Sequence, residues 1–239
     1  MRNAVRPDRS TPPCCWTGAS IGWNHQNASR MDAARFAREL PELYADFPRT
    51  EHPRDRRFAP LLERIGGLAR ENNLALINLA ASLLDPGESY VEVGSYRGLS
   101  LAAALDGNEG DFVGIDSFVM GDGSREQLDE NLGGAGYTIL EGDAFDLLPA
   151  LDRRVGAYYY DAAHDYESQV RGLQLVEPHL APGALMIVDD TDWERVDRAL
   201  ADYLAQQPRA RRLVTIDGKD RGQPWWWEGM QVLVWDGGA

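Results

Sequence analysis

The sequence predicts an α/β fold: a doubly wound, mostly parallel seven-stranded sheet with an antiparallel last strand, preceded by a helical extension. Three observations predict it. From residue 89 onward, short apolar runs alternate with amphipathic stretches, the pattern of successive βαβ units. The last two apolar runs are joined by a Gly-rich loop with no helix between them, which reads as an antiparallel pair. Several of the runs end in glycines or carboxylates, where a strand turns into a helix and a ligand can approach.

The elements follow in order. Residues 1–30 are rich in Pro, Ser, Asn, Arg and Gly, interrupted by Trp16, Ile21 and Trp23. They read either as a solvated tail or as a lid that orders over a substrate. From Met31 a helical pattern carries Phe36, Leu40, Leu43, Tyr44 and Phe47 at near-3.6 spacing. A Pro- and Arg-rich link runs from Pro48 to Arg57, and residues 58–84 read as one or two helices stopped by Asp85-Pro86-Gly87. This divides the chain into an N-terminal extension, 1–57, and a main domain, 58–239. Strands are expected at 89–93, 112–116, 137–140, 156–160, 184–188, 212–216 and 230–235. Helices are expected over 98–105, 124–132, 167–178 and 195–205.

Composition excludes several functions. The chain has 239 residues, 44% hydrophobic and 26% charged, enough for a full core. Its net charge of −14 argues against nucleic acid or an anionic membrane as partner, since phosphates demand clustered Lys and Arg. No apolar run approaches the roughly 18 residues of a membrane span, and the charged start lacks an apolar block after it. A cytoplasmic location is expected. Cys14 and Cys15 are adjacent, poor geometry for an unstrained bridge, and read as free thiols.

The first strand runs into Glu92-Val-Gly94-Ser95-Tyr-Arg-Gly98. Glycines at 94 and 98 permit a sharp turn and close backbone approach to a ligand. The spacing is not the G-x-G-x-x-G of a dinucleotide site, which argues against an NAD-linked oxidoreductase, and no Gly-Lys-Ser/Thr of a P-loop follows. The second strand ends in Ile115-Asp116-Ser117, an acidic position about 20 residues on that suits ribose hydroxyls. The third is followed by Gly142-Asp143-Ala144.

The strongest signal comes next. Tyr158-Tyr-Tyr-Asp161-Ala-Ala-His164-Asp-Tyr166-Glu167 and Val188-Asp189-Asp190-Thr191 are strand-like runs that end in carboxylates. Such groups at the end of a buried strand are costly unless paired or bound to a cation. Asp161, Asp189 and Asp190 at adjacent strand ends would make an all-oxygen site suited to Mg²⁺, Mn²⁺ or Ca²⁺ rather than zinc. Successive strand residues face opposite ways, so Asp189 and Asp190 reach one ion only if the chain turns there. The plainer reading is that these aspartates cap turns and helices.

Taken together, these motifs resemble those of the class I S-adenosylmethionine-dependent methyltransferases, with their Rossmann-like sheet. More narrowly, the chain is similar to the metal-dependent O-methyltransferases of the macrocin and cephalosporin-hydroxylase-like group, over roughly residues 58–239. The resemblance implies that Gly94, Ser95 and Gly98 pack on the methionine part of S-adenosylmethionine. It also implies that Asp116, with Ser117, holds the ribose, and that Asp143, with Ala144, meets the adenine. Glu92 either supports the loop or binds the cofactor amino group. Asp161, Asp189 and Asp190 would hold the metal, and the oligomer would be a dimer or larger ring. Expected is an O-methyltransferase acting on a sugar or polyol hydroxyl of a natural product, a small-molecule acceptor that is glycosylated or polyhydroxylated. A catechol-type phenolic enzyme, a metal-free methyltransferase and a non-catalytic cofactor-binding domain are the alternatives.

For that chemistry His164 is the candidate general base, its ordinary pKa lying near neutrality. Asp161 is the alternative base, and His164 could instead order its loop. His25, His52 and His179 have no such setting. Asp192 and Glu167 are expected to cap helices. Trp225-Trp226-Trp227 reads as a pocket wall, a packed hairpin loop or a contact between subunits.

Overall fold

A computed structural model describes residues 31–119, 121–134, 136–220 and 223–237. The expectations for residues 1–30, including the lid and the cysteine pair, lie outside the described residues.

Seven strands form one sheet: β1 (Ser89–Val93), β2 (Asp111–Asp116), β3 (Thr138–Glu141), β4 (Val155–Tyr160), β5 (Leu180–Asp189), β6 (Ala210–Ile216) and, after a two-residue ladder of β7 (Lys219–Asp220) and β8 (Gln223–Pro224), β9 (Met230–Trp235). Their order is β3-β2-β1-β4-β5-β9-β6. The first five are parallel, and β9 runs antiparallel to both β5 and β6. The sheet matches the seven-stranded, mostly parallel fold read from the pattern.

Helices lie on both faces, which explains why β1, β4 and β9 are buried along their whole length and read as apolar runs. Alternate residues of one strand serve different layers. Tyr159, Ile187 and Val232 pack with α3 (Glu71–Ser82) and α4 (Leu99–Leu105). Tyr158, Tyr160 and Val188 pack with α7 (Tyr166–Val176) and α8 (Glu194–Gln206). The shorter helices are α1 (Ala33–Glu39), α2 (Ala59–Ile65), α5 (Arg125–Leu132) and α6 (Ala144–Leu147).

Residues 31–57 join the first layer, where Met31, Phe36, Leu40 and Tyr44 are buried in its core. The helical pattern seen there is interrupted at Pro41, which opens a single 3-10 turn (Pro41–Leu43) after α1. Residues 58–84 resolve into two helices because Gly66 and Gly67 both adopt positive φ between them.

The chain leaves β1 toward β2 on one side and returns to β4 on the other. Strand order therefore reverses between β1 and β4, and the carboxyl ends of these strands form the crevice in which ligands of such sheets bind. A cavity of about 460 Å³ lined by Glu88, Ser89, Asp111 and Arg154 lies at the opposite, amino end of the strands. No helix among the described residues is long and apolar enough to cross a membrane.

Candidate functional site

The crevice begins at the end of β1. Gly94 sits at φ +96°, and a Cβ there would overlap the backbone carbonyl oxygen of Asp161. The turn after β1 and the turn after β4 are thus in backbone contact, tied also by the Asp161 N–H donating to the Val93 carbonyl at 2.9 Å. Gly98, at φ +85°, is the N-cap of α4. Glu92 is fully buried one turn below and accepts from the Tyr90 hydroxyl at 2.9 Å, while its Oε1 has no hydrogen-bond partner. Burial raises its pKa to about 7, partly offset by the Ser95, Tyr90 and Ser100 hydroxyls. Ser95 is buried beside it.

Asp116, at the end of β2, is already an organiser of this crevice. Its Oδ2 accepts from the Tyr96 N–H and its Oδ1 from the Phe118 N–H, both at 2.7 Å. Tyr96 and Phe118 both have left-handed backbones (φ +49° and +52°), and the two charge-assisted bonds help hold them there. Ser117 lies between, half-buried. Tyr96 donates to Asp122, which also pairs with Arg97 at 2.6 Å, so Arg97 forms a local salt bridge. Asp143 is exposed and caps α6, accepting from the Phe145 N–H at 2.8 Å, with Ala144 as the first helical residue.

The second half of the site lies at the ends of β4 and β5. Ligand atoms of Asp161, His164 and Asp190 all fall within 4.8 Å of one another. His164 Nε2 stands 2.5 Å from Asp190 Oδ2 and 3.9 Å from Asp161 Oδ1. The imidazole is only 30% exposed, and its Nε2 makes an ion-pair contact without an aligned hydrogen bond. Asp161 and Asp190 raise the histidine pKa to about 10. The carboxylate oxygens of Asp161 and Asp190, close together at adjacent strand ends, fit a hard divalent cation, and the His164 nitrogen stands beside them.

Asp189 takes a different place from its neighbour. The chain turns at Asp190, whose φ is +55°, and the two side chains diverge. Asp190 turns to His164, whereas Asp189 is buried beneath, its Oδ1 accepting from the Asp190 N–H at 2.9 Å and its Oδ2 2.5 Å from the Tyr159 hydroxyl. The same hydroxyl is 3.1 Å from Asp161 Oδ2. Burial, then the charges of Asp161 and Asp190, hold the Asp189 pKa well above the carboxylate range. The Tyr159 hydroxyl can donate to Asp189 or to Asp161 and so lies between the two strand ends.

A family model for a methyltransferase domain matches residues 91–191, which span the turns after β1, β2, β3, β4 and β5. That stretch of the chain is similar to a methyltransferase domain. Solved structures share its fold at low identity. A methyltransferase of Podospora anserina, PaMTH1, bound to S-adenosylhomocysteine, is 14% identical over 92% of this chain and 100% of its own, with a TM-score of 0.60. The O-methyltransferase TomG of Streptomyces achromogenes, involved in tomaymycin synthesis, is 17% identical over 87% and 100%, with a TM-score of 0.54. CalS11, a TDP-rhamnose 3′-O-methyltransferase of calicheamicin biosynthesis, is 20% identical over 84% and 94%, with a TM-score of 0.50. No curated protein matches the sequence.

At this site several residues escape sequence reading. Tyr159 looks like one more apolar strand residue, and only the strand register puts its hydroxyl under both carboxylates. Trp193 is an exposed aromatic residue at the cluster, its ring centroid 4.9 Å from that of His164 and 42% exposed. By contrast Trp226, within the Trp-rich run, is buried against Tyr44 and Phe47 and donates to the Pro48 carbonyl at 2.9 Å, a packed hairpin loop. The expected caps also shift. Asp165 caps α7 while Glu167 lies in its first turn, and Asp192 accepts from the Gly218 N–H, fastening the turn after β5 to the loop before β9.

Proposed function

We propose that this methyltransferase moves the methyl group of S-adenosylmethionine to a hydroxyl on a sugar or polyol part of a natural product, assisted by Mg²⁺ (or Mn²⁺ or Ca²⁺). The observation that carries the reading is the convergence of Asp161, His164 and Asp190 at the switch point, in backbone contact with the Gly94 turn. A methyl donor bound at that turn would lie next to the acidic cluster. Two of the similar structures bear names of O-methyltransferases from natural-product synthesis, one acting on TDP-rhamnose, which supports a sugar-like acceptor.

In this reading Gly94, Ser95 and Gly98 line the methionine part of the cofactor, Asp116 and Ser117 face the ribose, and Asp143 and Ala144 the adenine. Glu92 accepts from the cofactor amino group, whose positive charge compensates the buried carboxylate. Asp161, Asp189 and Asp190 would hold the cation. The cation supplies a positive charge that makes the acceptor hydroxyl more acidic. His164, whose Nε2 lies beside Asp161 and Asp190, would take the hydroxyl proton once a bound cation offset the charge of those two carboxylates. The acceptor oxygen then forms its bond to the methyl carbon as the carbon–sulfur bond breaks, and the sulfur keeps that electron pair in S-adenosylhomocysteine. Trp193 offers an apolar face beside His164 on which a sugar or aromatic ring can stack.

Calorimetric titration with S-adenosylhomocysteine, with and without Mg²⁺, tests the reading on the native protein and on an Asp161→Asn, Asp190→Asn double variant. Cofactor binding in both, with Mg²⁺ binding confined to the native protein, is the expected result. Mg²⁺ binding that survives the double substitution would remove the metal-assisted reading.

A further inference from the structure

Resting on the reading of residues 94–98 as the cofactor turn, we infer that Asp122 is a positioning residue: an exposed carboxylate between β2 and α5 that holds the Tyr96 and Arg97 side chains and so fixes the shape of that turn.

Glycines at 94 and 98 let the turn bend sharply, and the same freedom leaves the residues between them in need of support from outside. The far end of the turn is supported by α5. The Asn131 amide donates to the Arg97 carbonyl at 2.9 Å, and Gly98 lies against Leu128 and Leu132. The middle is supported by the end of β2 and the segment after it. Tyr96, left-handed at φ +49°, gives its N–H to Asp116 and its hydroxyl to Asp122 Oδ1. Arg97 pairs with Asp122 Oδ2 at 2.6 Å, and its guanidinium carbon lies 5.0 Å over the Tyr96 ring. One carboxylate thus engages two successive residues of the turn, one on each oxygen. The Tyr96 hydroxyl, then the Arg97 charge, keep Asp122 below the usual carboxylate range, so it is ionised at neutral pH. Two glycines complete the seat: a Cβ on Gly123 would overlap the Tyr96 ring, and one on Gly121 would press on it. Asp122 itself is 73% exposed, and an ion pair so exposed adds little to stability. Its effect falls on the geometry of the turn, because a side chain locked at both ends resists relaxation of the left-handed backbone that carries it.

The test is S-adenosylhomocysteine affinity by calorimetry, with thermal unfolding alongside. It compares the native protein with Asp122→Ala, Tyr96→Phe, the double variant and Gly123→Ala. Asp152→Ala removes an exposed carboxylate at the amino end of the strands and serves as the control. Asp122→Ala is expected to weaken binding about 3- to 10-fold, with an unfolding temperature within about 2 °C of native. Tyr96→Phe should weaken it less, and the double variant should bind as Asp122→Ala does, since both substitutions remove one contact. Gly123→Ala displaces the ring without touching a charge and should weaken binding as well. Native-like affinity in Asp122→Ala overturns the inference, as does a lowered unfolding temperature with affinity unchanged. Fully additive losses in the double variant overturn it too, and equal weakening by Asp152→Ala would trace the effect to net charge instead. Should Gly123→Ala fail to fold, the Asp122 and Tyr96 arms decide. A native protein that binds no S-adenosylhomocysteine overturns the cofactor reading and this inference with it, an outcome distinct from native binding that ignores Asp122.

Discussion

Asp190 Oδ2 lies 2.5 Å from His164 Nε2, although one residue follows β5 and the other follows β4. The pairing depends on the left-handed turn at Asp190, which swings this carboxylate away from Asp189 and over the adjacent strand end. It joins the histidine to the acidic cluster and gives the site its mixed nitrogen and oxygen character.

If His164 accepts the acceptor proton, His164→Gln lowers kcat about 10²- to 10⁴-fold while leaving S-adenosylhomocysteine affinity intact. Steady-state kinetics and calorimetry on the same preparation check this. A kcat within a few-fold of native would assign the histidine to loop order instead.

Gly94→Ala tests the contact between the two turns. The new Cβ would meet the Asp161 carbonyl at a positive φ that alanine adopts poorly, so both the cofactor turn and the acidic cluster are displaced. The expected cost is about 2–3 kcal/mol of stability, together with loss of cofactor binding. Chemical denaturation and calorimetry measure the two effects separately.

Glu92 makes stability depend on pH in a definite direction. Its pKa is raised from 4.5 to about 7 in the folded protein. Below about 4.5 the group is protonated whether the chain is folded or not, and there is no penalty. Between about 4.5 and 7 the unfolded chain releases a proton that the folded protein keeps, so stability falls as pH rises, by up to about 3 kcal/mol. Above 7 the penalty is constant. Urea denaturation of Glu92→Gln should therefore show a stability relative to native that grows from pH 4 to pH 8. A flat difference would mean that the buried carboxyl is not perturbed.

Two tryptophans should separate cleanly. Trp226→Ala empties a buried site packed by Tyr44 and Phe47 and is expected to cost about 3–5 kcal/mol. Trp193→Ala, at a partly exposed position, should change stability by about 0.5 kcal/mol or less but raise the KM for the acceptor. An unchanged acceptor KM would remove Trp193 from the binding face.

The parallel strands were legible because buried strands covered by helices on both sides must be apolar throughout, and the runs 89–93 and 156–160 have that composition whatever their neighbours. Asp161, His164 and Asp190 were legible as candidates for a related reason: ionisable groups at the ends of buried strands demand a partner. Partner choice was not legible. Asp189 and Asp190 are equivalent in a linear reading, and the backbone turn between them sends one to the histidine and the other under Tyr159. Likewise Asp116 already accepts two backbone amides, Trp226 is core while Trp193 borders the cluster, and the Tyr159 hydroxyl bridges two strands. Residue type and period set which face of a strand or helix is buried. The meeting of side chains from different strands depends on register and on a few torsion angles at the strand ends, and these emerge only when the whole sheet packs.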